Sequence, residues 1–282
     1  MTVAQDWDRQ FNLRAAVPDH PMHFARWAER STQARYDHGN REDLGYGAHP
    51  SQRLDIIPAG PGSPLLVFLH GGFWRSFDKT AFTFIAPAFV QRGISVAIVD
   101  YALCPDVTVP EILDQVTQSI VFLHRLADRH GYDAGRMVIA GHSVGAHMAV
   151  WLGGVDWPAH GLPDRPYRGI VAISGVYDLV PVAASFLNAD LRLSPDQARA
   201  LSPLHAPPPW LPPAVFSVGG RETAAFVDQQ AGMVEVWRSR GADARLVPMP
   251  GSDHFDILYE LAEPEGTLFR ATCTLIEDTA RG

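Results

Sequence analysis

The sequence predicts an α/β fold in which a mostly parallel central sheet is covered by helices on both faces. Continuous apolar runs at residues 65–69, 94–99 and 214–218 alternate with helical patterns along the chain. Such runs are typical of strands buried on both faces, and strands that alternate with helices build parallel sheets. The length of 282 residues would allow two domains, but α/β folds of this size often form one, so a single domain over residues 1–282 is expected.

The order of the elements follows from the same patterns. An N-terminal arm, residues 1 to about 50, lacks strand-like alternation, and its helical stretch at 23–36 should pack over the domain. The pattern loosens again between about 175 and 213, which predicts a cap-like excursion over the sheet. Strands are predicted at 52–57, 65–69, 94–99, 137–140, 168–174, 214–218 and 244–249, and further helices at 80–92, 110–129, 144–152 and 225–240.

Composition excludes several classes of protein. The formal charge of −8 disfavours nucleic acid and anionic membranes as partners. No apolar run is long enough for a transmembrane helix, and the N-terminus has no apolar signal region. The two cysteines lie far apart, without the spacing of a metal site. We therefore expect a cytoplasmic protein with a small-molecule substrate, no metal and no cofactor, and a homodimer remains open.

The strongest motif lies at Gly141–His142–Ser143–Val144–Gly145. An apolar strand precedes it and an apolar helix follows, which is the context of a nucleophile elbow. The flanking glycines allow the strained turn and the close approach of strand and helix. The sequence therefore predicts that Ser143 is a nucleophile, exposed at the start of a helix.

A serine nucleophile needs a base, and the base needs a carboxylate to orient it. In this kind of fold the chain order is Ser, acid, His, and His254 is the histidine that follows the last predicted strand. Glu222 lies directly after the preceding strand, where the acid is expected. Asp178 remains the rival for this role, and Asp228 is a weaker one.

A second motif, His70–Gly71–Gly72–Phe73, follows a buried strand. Paired glycines at this position let backbone N–H groups turn inward as an oxyanion hole, which the N–H of Val144 would complete. Gly71, Gly72 and Val144 are therefore the predicted oxyanion donors. Aromatic residues near the motifs are predicted to line an acyl or aryl pocket, although each could equally be part of the core: Phe73, Trp74, Tyr101 and Phe186.

Three segments together resemble the kynurenine formamidases (arylformamidases) and their bacterial relatives: 70–74, 141–145 and 253–256. The resemblance implies an α/β-hydrolase fold and a catalytic triad of Ser143, Glu222 and His254. The chain departs from the family pattern at four positions. Phe73 replaces the usual Tyr, Val144 the usual Ala, and Ala146 a frequent Gly. Glu222 stands where animal members have Asp.

The activity implied by the resemblance is that of a serine hydrolase that cleaves an aryl formamide such as N-formylkynurenine. A carboxylesterase for short acyl groups is the alternative, because both reactions pass through the same tetrahedral oxyanion. A non-catalytic binding protein on the same fold is the remote alternative, which the presence of Ser, Glu and His together disfavours.

Overall fold

The computed structural model describes residues 6–39 and 41–279, and its strands form one eight-stranded sheet. The spatial order is β1-β2-β4-β3-β5-β6-β7-β8, antiparallel between β1, β2 and β4 and parallel from β4 onward. The strands are β1 (Glu42–Gly45), β2 (Arg53–Ile57), β3 (Ser63–Leu69), β4 (Ser95–Val99), β5 (Tyr132–His142), β6 (Gly169–Ile173), β7 (Ala214–Gly219) and β8 (Ala244–Met249). The predicted α/β fold with a mostly parallel sheet is confirmed.

Helices cover the sheet and frame its carboxyl edge. They are α1 (Trp7–Phe11), α2 (Leu13–Ala16), α3 (His20–Asp37), α4 (Ala86–Gln91), α5 (Val109–His130), α6 (Val144–Trp151), α7 (Val180–Ala183), α8 (Asn188–Leu191), α9 (Pro195–Ala200), α10 (Ala224–Ser239), α11 (Ile257–Ala262) and α12 (Thr267–Thr279). Within the described ranges, none is long and apolar enough to cross a membrane.

The apolar runs became the central strands because both faces of those strands are covered. Every residue of β3, β4 and β6 is buried. Long helix α5 shows how local sequence sets an element's ends. Thr108 and Glu111 form a reciprocal capping box at its start, and Gly131 ends it in a left-handed conformation.

Two predictions about the elements were wrong. The helix expected at 80–92 is a pair of 3-10 turns followed by the short helix α4, which begins next to Pro87 because proline is tolerated only in the first turn. Strand β1 was missed inside the N-terminal arm. It is an exposed edge strand whose charged residues give no apolar alternation.

The arm and the excursion meet above the carboxyl edge of the sheet. The backbone N–H of Phe186, in the excursion, donates to the Asp8 carboxylate at 2.6 Å. The arm is also bound to the start of α10, where the Thr223 hydroxyl donates to the carbonyl of Gln10 at 2.8 Å. Residues 1–5 of the predicted arm lie outside the described residues, and the division into one domain with an arm and an excursion stays a prediction.

Candidate active site

Ser143 lies on the sharp turn between β5 and α6. Its backbone has φ 58° and ψ −121°, a conformation that L-residues rarely adopt. Its N–H donates to the carbonyl of Ile173 on the neighbouring strand at 2.8 Å, and this bond helps to hold the strained turn. Because Ser143 directly precedes the first turn of α6, negative charge that develops near it is favoured by the helix dipole.

Gly145 shows why the turn needs glycine. A Cβ atom added at this position would lie 2.0 Å from the carbonyl oxygen of Leu69, at the end of β3. Any side chain would therefore push the start of α6 away from the sheet. The position of Ser143 is thus set by direct contact between two pieces of backbone.

His254 and Glu222 form a buried pair beside Ser143. The His254 Nδ1 atom lies 2.6 Å from Glu222 Oε2, and the two side chains are 3% and 0% exposed. This contact leaves the Nε2 atom as the imidazole nitrogen that can face a substrate. Ser143 and His254 line the same cavity, an arrangement in which a histidine held by a carboxylate could serve a serine as its base.

The second oxygen of Glu222 is held by two donors. The Ser174 hydroxyl lies 2.5 Å from Oε1, and the Gly219 N–H lies 2.7 Å from it. Ser174 is buried and has a positive φ of 51°, and its own N–H donates to the carbonyl of Ser217. The sequence interpretation did not include Ser174. Its signal was available, because Ser174 follows β6 directly, just as Ser143 follows β5.

The rival carboxylates either have other partners or are exposed to solvent. Asp178 lies 3.0 Å from the His205 ring and accepts the N–H of Val180, whereas Asp228 is exposed on α10. Asp253, next to the histidine in sequence, accepts two backbone N–H groups from its own turn. Among these carboxylates, only Glu222 contacts the His254 ring.

The loop after β3 faces Ser143 across the cavity. A Cβ atom added to Gly71 would lie 3.0 Å from the Ser143 Cβ, and Gly72 has a φ of 113°. In the described part of the chain, the N–H groups of Gly71, Gly72 and Val144 have no hydrogen-bond partner. Unpaired donors near the serine are what an oxyanion hole requires.

His70 anchors this loop rather than facing the cavity. Its ring stacks on Tyr101, with centroids 4.3 Å apart and an interplanar angle of 9°. The Tyr101 hydroxyl donates to the His70 carbonyl at 2.7 Å. The loop that carries Gly71 and Gly72 is therefore fixed from behind by a buried aromatic stack.

The cavity above Ser143 has a volume of about 120 Å³ and a largely aromatic wall. Phe73 and Phe186, which the sequence assigned to a substrate pocket, lie in this wall, and their contact with a substrate stays a prediction. Trp74 and Tyr101, assigned to the same pocket, do not line the cavity. Trp74 is fully buried and packs edge-on against His147, and Tyr101 packs behind the loop on His70. The remaining aromatic residues of the wall come mostly from segments not assigned to the pocket: Phe11, Phe24, Trp27, Phe77, Phe82 and Phe255.

His142 contacts the loop that carries His254. Complete burial, reinforced by the neighbouring His254, holds the pKa of His142 well below its usual value. The neutral ring therefore has one N–H, and Nε2 lies 2.8 Å from the backbone carbonyl of His254. This bond ties the residue before Ser143 to the loop that carries His254.

Comparison with known proteins agrees with this geometry. The family model described as BD-FAE matches residues 56–202, just over half of the chain. A kynurenine formamidase from Salmo salar is 27% identical over 227 residues, covering 77% of this chain and 76% of that protein. An isoprenylcysteine alpha-carbonyl methylesterase from Arabidopsis thaliana is 25% identical, covering 78% of this chain and 57% of its own length.

One solved structure is similar over nearly the whole chain. It is a Silicibacter protein that carries a provisional thioesterase assignment, and it is 30% identical with a TM-score of 0.82. The match covers 95% of this chain and 98% of that one. The resemblance to kynurenine formamidases predicted from three short segments therefore extends over most of the chain.

Proposed function

The chain belongs to the BD-FAE family of α/β-hydrolases, and from this premise we propose that it is a serine hydrolase that cleaves a small aryl formamide. The family match includes the loop of Gly71 and Gly72 and the turn of Ser143, but it ends before Glu222 and His254. The observation that carries the proposal is therefore the buried His254–Glu222 pair at 2.6 Å, beside the strained turn of Ser143.

The reaction follows from the roles of these groups. The Ser143 hydroxyl attacks the formyl carbon while His254 Nε2 accepts its proton, and Glu222 stabilises the resulting imidazolium. The backbone N–H groups of Gly71, Gly72 and Val144 donate to the tetrahedral oxyanion. His254 then gives the proton to the departing aniline nitrogen, which leaves a formyl ester on Ser143. A water molecule, deprotonated by His254, attacks this ester and releases formate.

The choice of an aryl formamide rests on two supports. Kynurenine formamidases are relatives of this chain over about three quarters of its length, which makes N-formylkynurenine the first substrate to test. The cavity is also small and aromatic, at about 120 Å³. A cavity of roughly 150 Å³ lined by apolar groups holds one benzene ring, so a single aryl group suits the space.

A short-acyl carboxylesterase is the second candidate. The relative from Arabidopsis thaliana is a methylesterase, and ester hydrolysis needs the same nucleophile, base and oxyanion donors. The leaving group distinguishes the two reactions, because an aniline must be protonated as it departs whereas an activated phenol need not be.

We further propose that the protein acts on this substrate in the cytoplasm, without a nucleic-acid or membrane partner. Its two cysteines, Cys104 and Cys273, are free and buried, which suits a reducing compartment. The formal charge of −8 also opposes binding to anionic surfaces.

Turnover of N-formylkynurenine and of 4-nitrophenyl acetate, compared on the same purified protein, tests the proposal. The aryl formamidase proposal expects a higher kcat/KM for the formamide, with both activities lost in Ser143→Ala. Hydrolysis of the ester alone would support the esterase instead. If a fluorophosphonate fails to label Ser143 and neither substrate is cleaved, the serine hydrolase mechanism is wrong.

A further inference from the structure

The fixed charges that line the cavity are all of one sign. Two arginines, Arg14 and Arg75, contribute to its wall together with the aromatic residues. No aspartate or glutamate lies among the described residues of this lining. The protein as a whole carries a formal charge of −8, so the two arginines differ in sign from the chain's net charge.

The charge of Arg75 is already compensated. Its guanidinium Nη1 lies 2.5 Å from the carboxylate of Asp190, and its Cζ lies 5.8 Å from the ring centroid of Phe186. An arginine paired in this way has little net charge left to offer a ligand.

Within the described ranges, Arg14 has no such partner. It is an exposed residue of α2, and its guanidinium carbon lies 5.7 Å from the centroid of the Phe24 ring, which is also part of the cavity wall. Among the described residues, no carboxylate forms an ion pair with Arg14. A guanidinium that rests on an aromatic ring keeps its N–H fork free, and that fork matches the geometry of a carboxylate.

We propose that Arg14 forms an anion subsite at the solvent-exposed edge of the cavity, and that the substrate is an aryl formamide or ester whose leaving group carries a carboxylate or a similar compact anion. The aromatic wall takes the ring, and Arg14 binds the anion. This inference rests on the proposed function, because it places the scissile bond at Ser143 within the same cavity.

Two esters that differ by one carboxylate test the subsite: 4-nitrophenyl acetate and 5-acetoxy-2-nitrobenzoate. We expect Arg14→Met to lower kcat/KM for the carboxylate ester about tenfold, equivalent to about 1.4 kcal/mol, mainly through KM, because a charge-assisted hydrogen bond at an exposed site is lost. The neutral ester should change by less than about twofold, because it makes no ion pair. Arg14→Lys should restore part of the preference, since it keeps the charge but not the fork.

Arg9→Met is the matched control. Arg9 is an exposed arginine of the adjacent helix α1 and does not line the cavity, so the ratio between the two esters should stay at the wild-type value. An equal loss on both esters in Arg14→Met, or the same change in Arg9→Met, would overturn the subsite.

A binding measurement keeps the two proposals separable. In Ser143→Ala, calorimetric titration with the intact carboxylate ester should give a Kd about tenfold lower than in the Ser143→Ala, Arg14→Met double variant. Equal Kd values would overturn the subsite, even if wild-type protein cleaves both esters and Ser143 is confirmed as the nucleophile. Loss of affinity in a protein that cleaves neither ester would retain the subsite and reject the hydrolase.

Discussion

The two walls of the cavity above Ser143 are built in different ways. One wall comes from the carboxyl ends of parallel strands, where Ser143, Glu222 and His254 have buried side chains and Glu222 pairs with His254. The other comes from helices of the arm and from the excursion around Phe186, and hydrogen bonds link these segments to each other and to the start of α10. The comparison suggests that the sheet edge sets the chemistry, whereas the added segments choose the substrate.

The largest expected effect tests the wall that carries Ser143, Glu222 and His254. Glu222→Gln should lower kcat about 10³–10⁴-fold, because the amide can no longer stabilise the protonated ring of His254 or fix its orientation. Steady-state kinetics on the ester and the formamide measure it. Asp178→Asn is the control, since Asp178 pairs with His205 instead. If that variant lost as much activity, the acid would be wrongly assigned.

Ser174→Ala should act on the same wall more weakly. Removing the hydroxyl that holds Glu222 Oε1 should reduce kcat roughly 10- to 100-fold with little change in KM, because a hydrogen bond to a charged group is lost. The matched control is Ser217→Ala, a buried serine on β7 whose hydroxyl donates to a backbone carbonyl. Similar losses of kcat in both variants would assign Ser174 a purely structural role.

The third prediction concerns His147 and its contact with the excursion. Burial lowers the pKa of His147 from 6.5 to about 4, and its Nε2 lies 2.7 Å from the carbonyl of Leu201 in the excursion. The His147 ring binds a proton below pH 6.5 in the unfolded chain, but only below about pH 4 in the folded protein. Stability from this group is therefore complete above pH 6.5 and is lost as the pH falls through this window.

In that window, the free energy of unfolding should fall by up to about 1.4 kcal/mol per pH unit through this group. His147→Gln should reduce the pH slope by that amount in urea titrations between pH 4 and 6.5, with a remaining slope from the buried His142, while His160→Gln, at an exposed position, should leave the slope at the wild-type value. An unchanged slope in His147→Gln would show that this ring does not carry the acid sensitivity.

The smallest expected effect tests the wall that comes from the arm and the excursion. The Phe11 ring packs edge-on against Phe73 and Phe226, and Phe226 in turn packs against His254. Phe11→Leu keeps the burial but loses the ring edges, so KM for an aryl substrate should rise about threefold at constant kcat. Tyr36→Leu, on the exposed face of α3, serves as control. A fall in kcat instead would place Phe11 in the chemistry.

The same division explains what the sequence could predict. The turn of Ser143, the loop of Gly71 and Gly72 and the position of Glu222 follow from local backbone demands at the ends of apolar strands. These demands leave short motifs. Trp74 and Tyr101 were misplaced because an aromatic residue beside a motif can point toward the cavity or behind it, and only packing decides which.

No short sequence motif marks the wall that comes from the arm and the excursion. Phe11, Phe24 and Trp27 come from helices that are far from Ser143 in sequence, and their place in the cavity depends on how the arm folds back over the sheet. Strand β1 was missed for a related reason, because its pairing with β2 rather than an apolar pattern defines it. Long-range docking is the part of this structure that the sequence patterns did not reveal.

The contact between Gly145 and Leu69 also has an evolutionary consequence. There is no room for a side chain at position 145, because its Cβ atom would lie 2.0 Å from a carbonyl oxygen. Almost every substitution of this glycine should therefore be lost during evolution. Position 14 is exposed, so we expect most substitutions there to change the free energy of unfolding by little. Descendants of this chain could therefore diverge in the compounds they consume while inheriting one unaltered reaction.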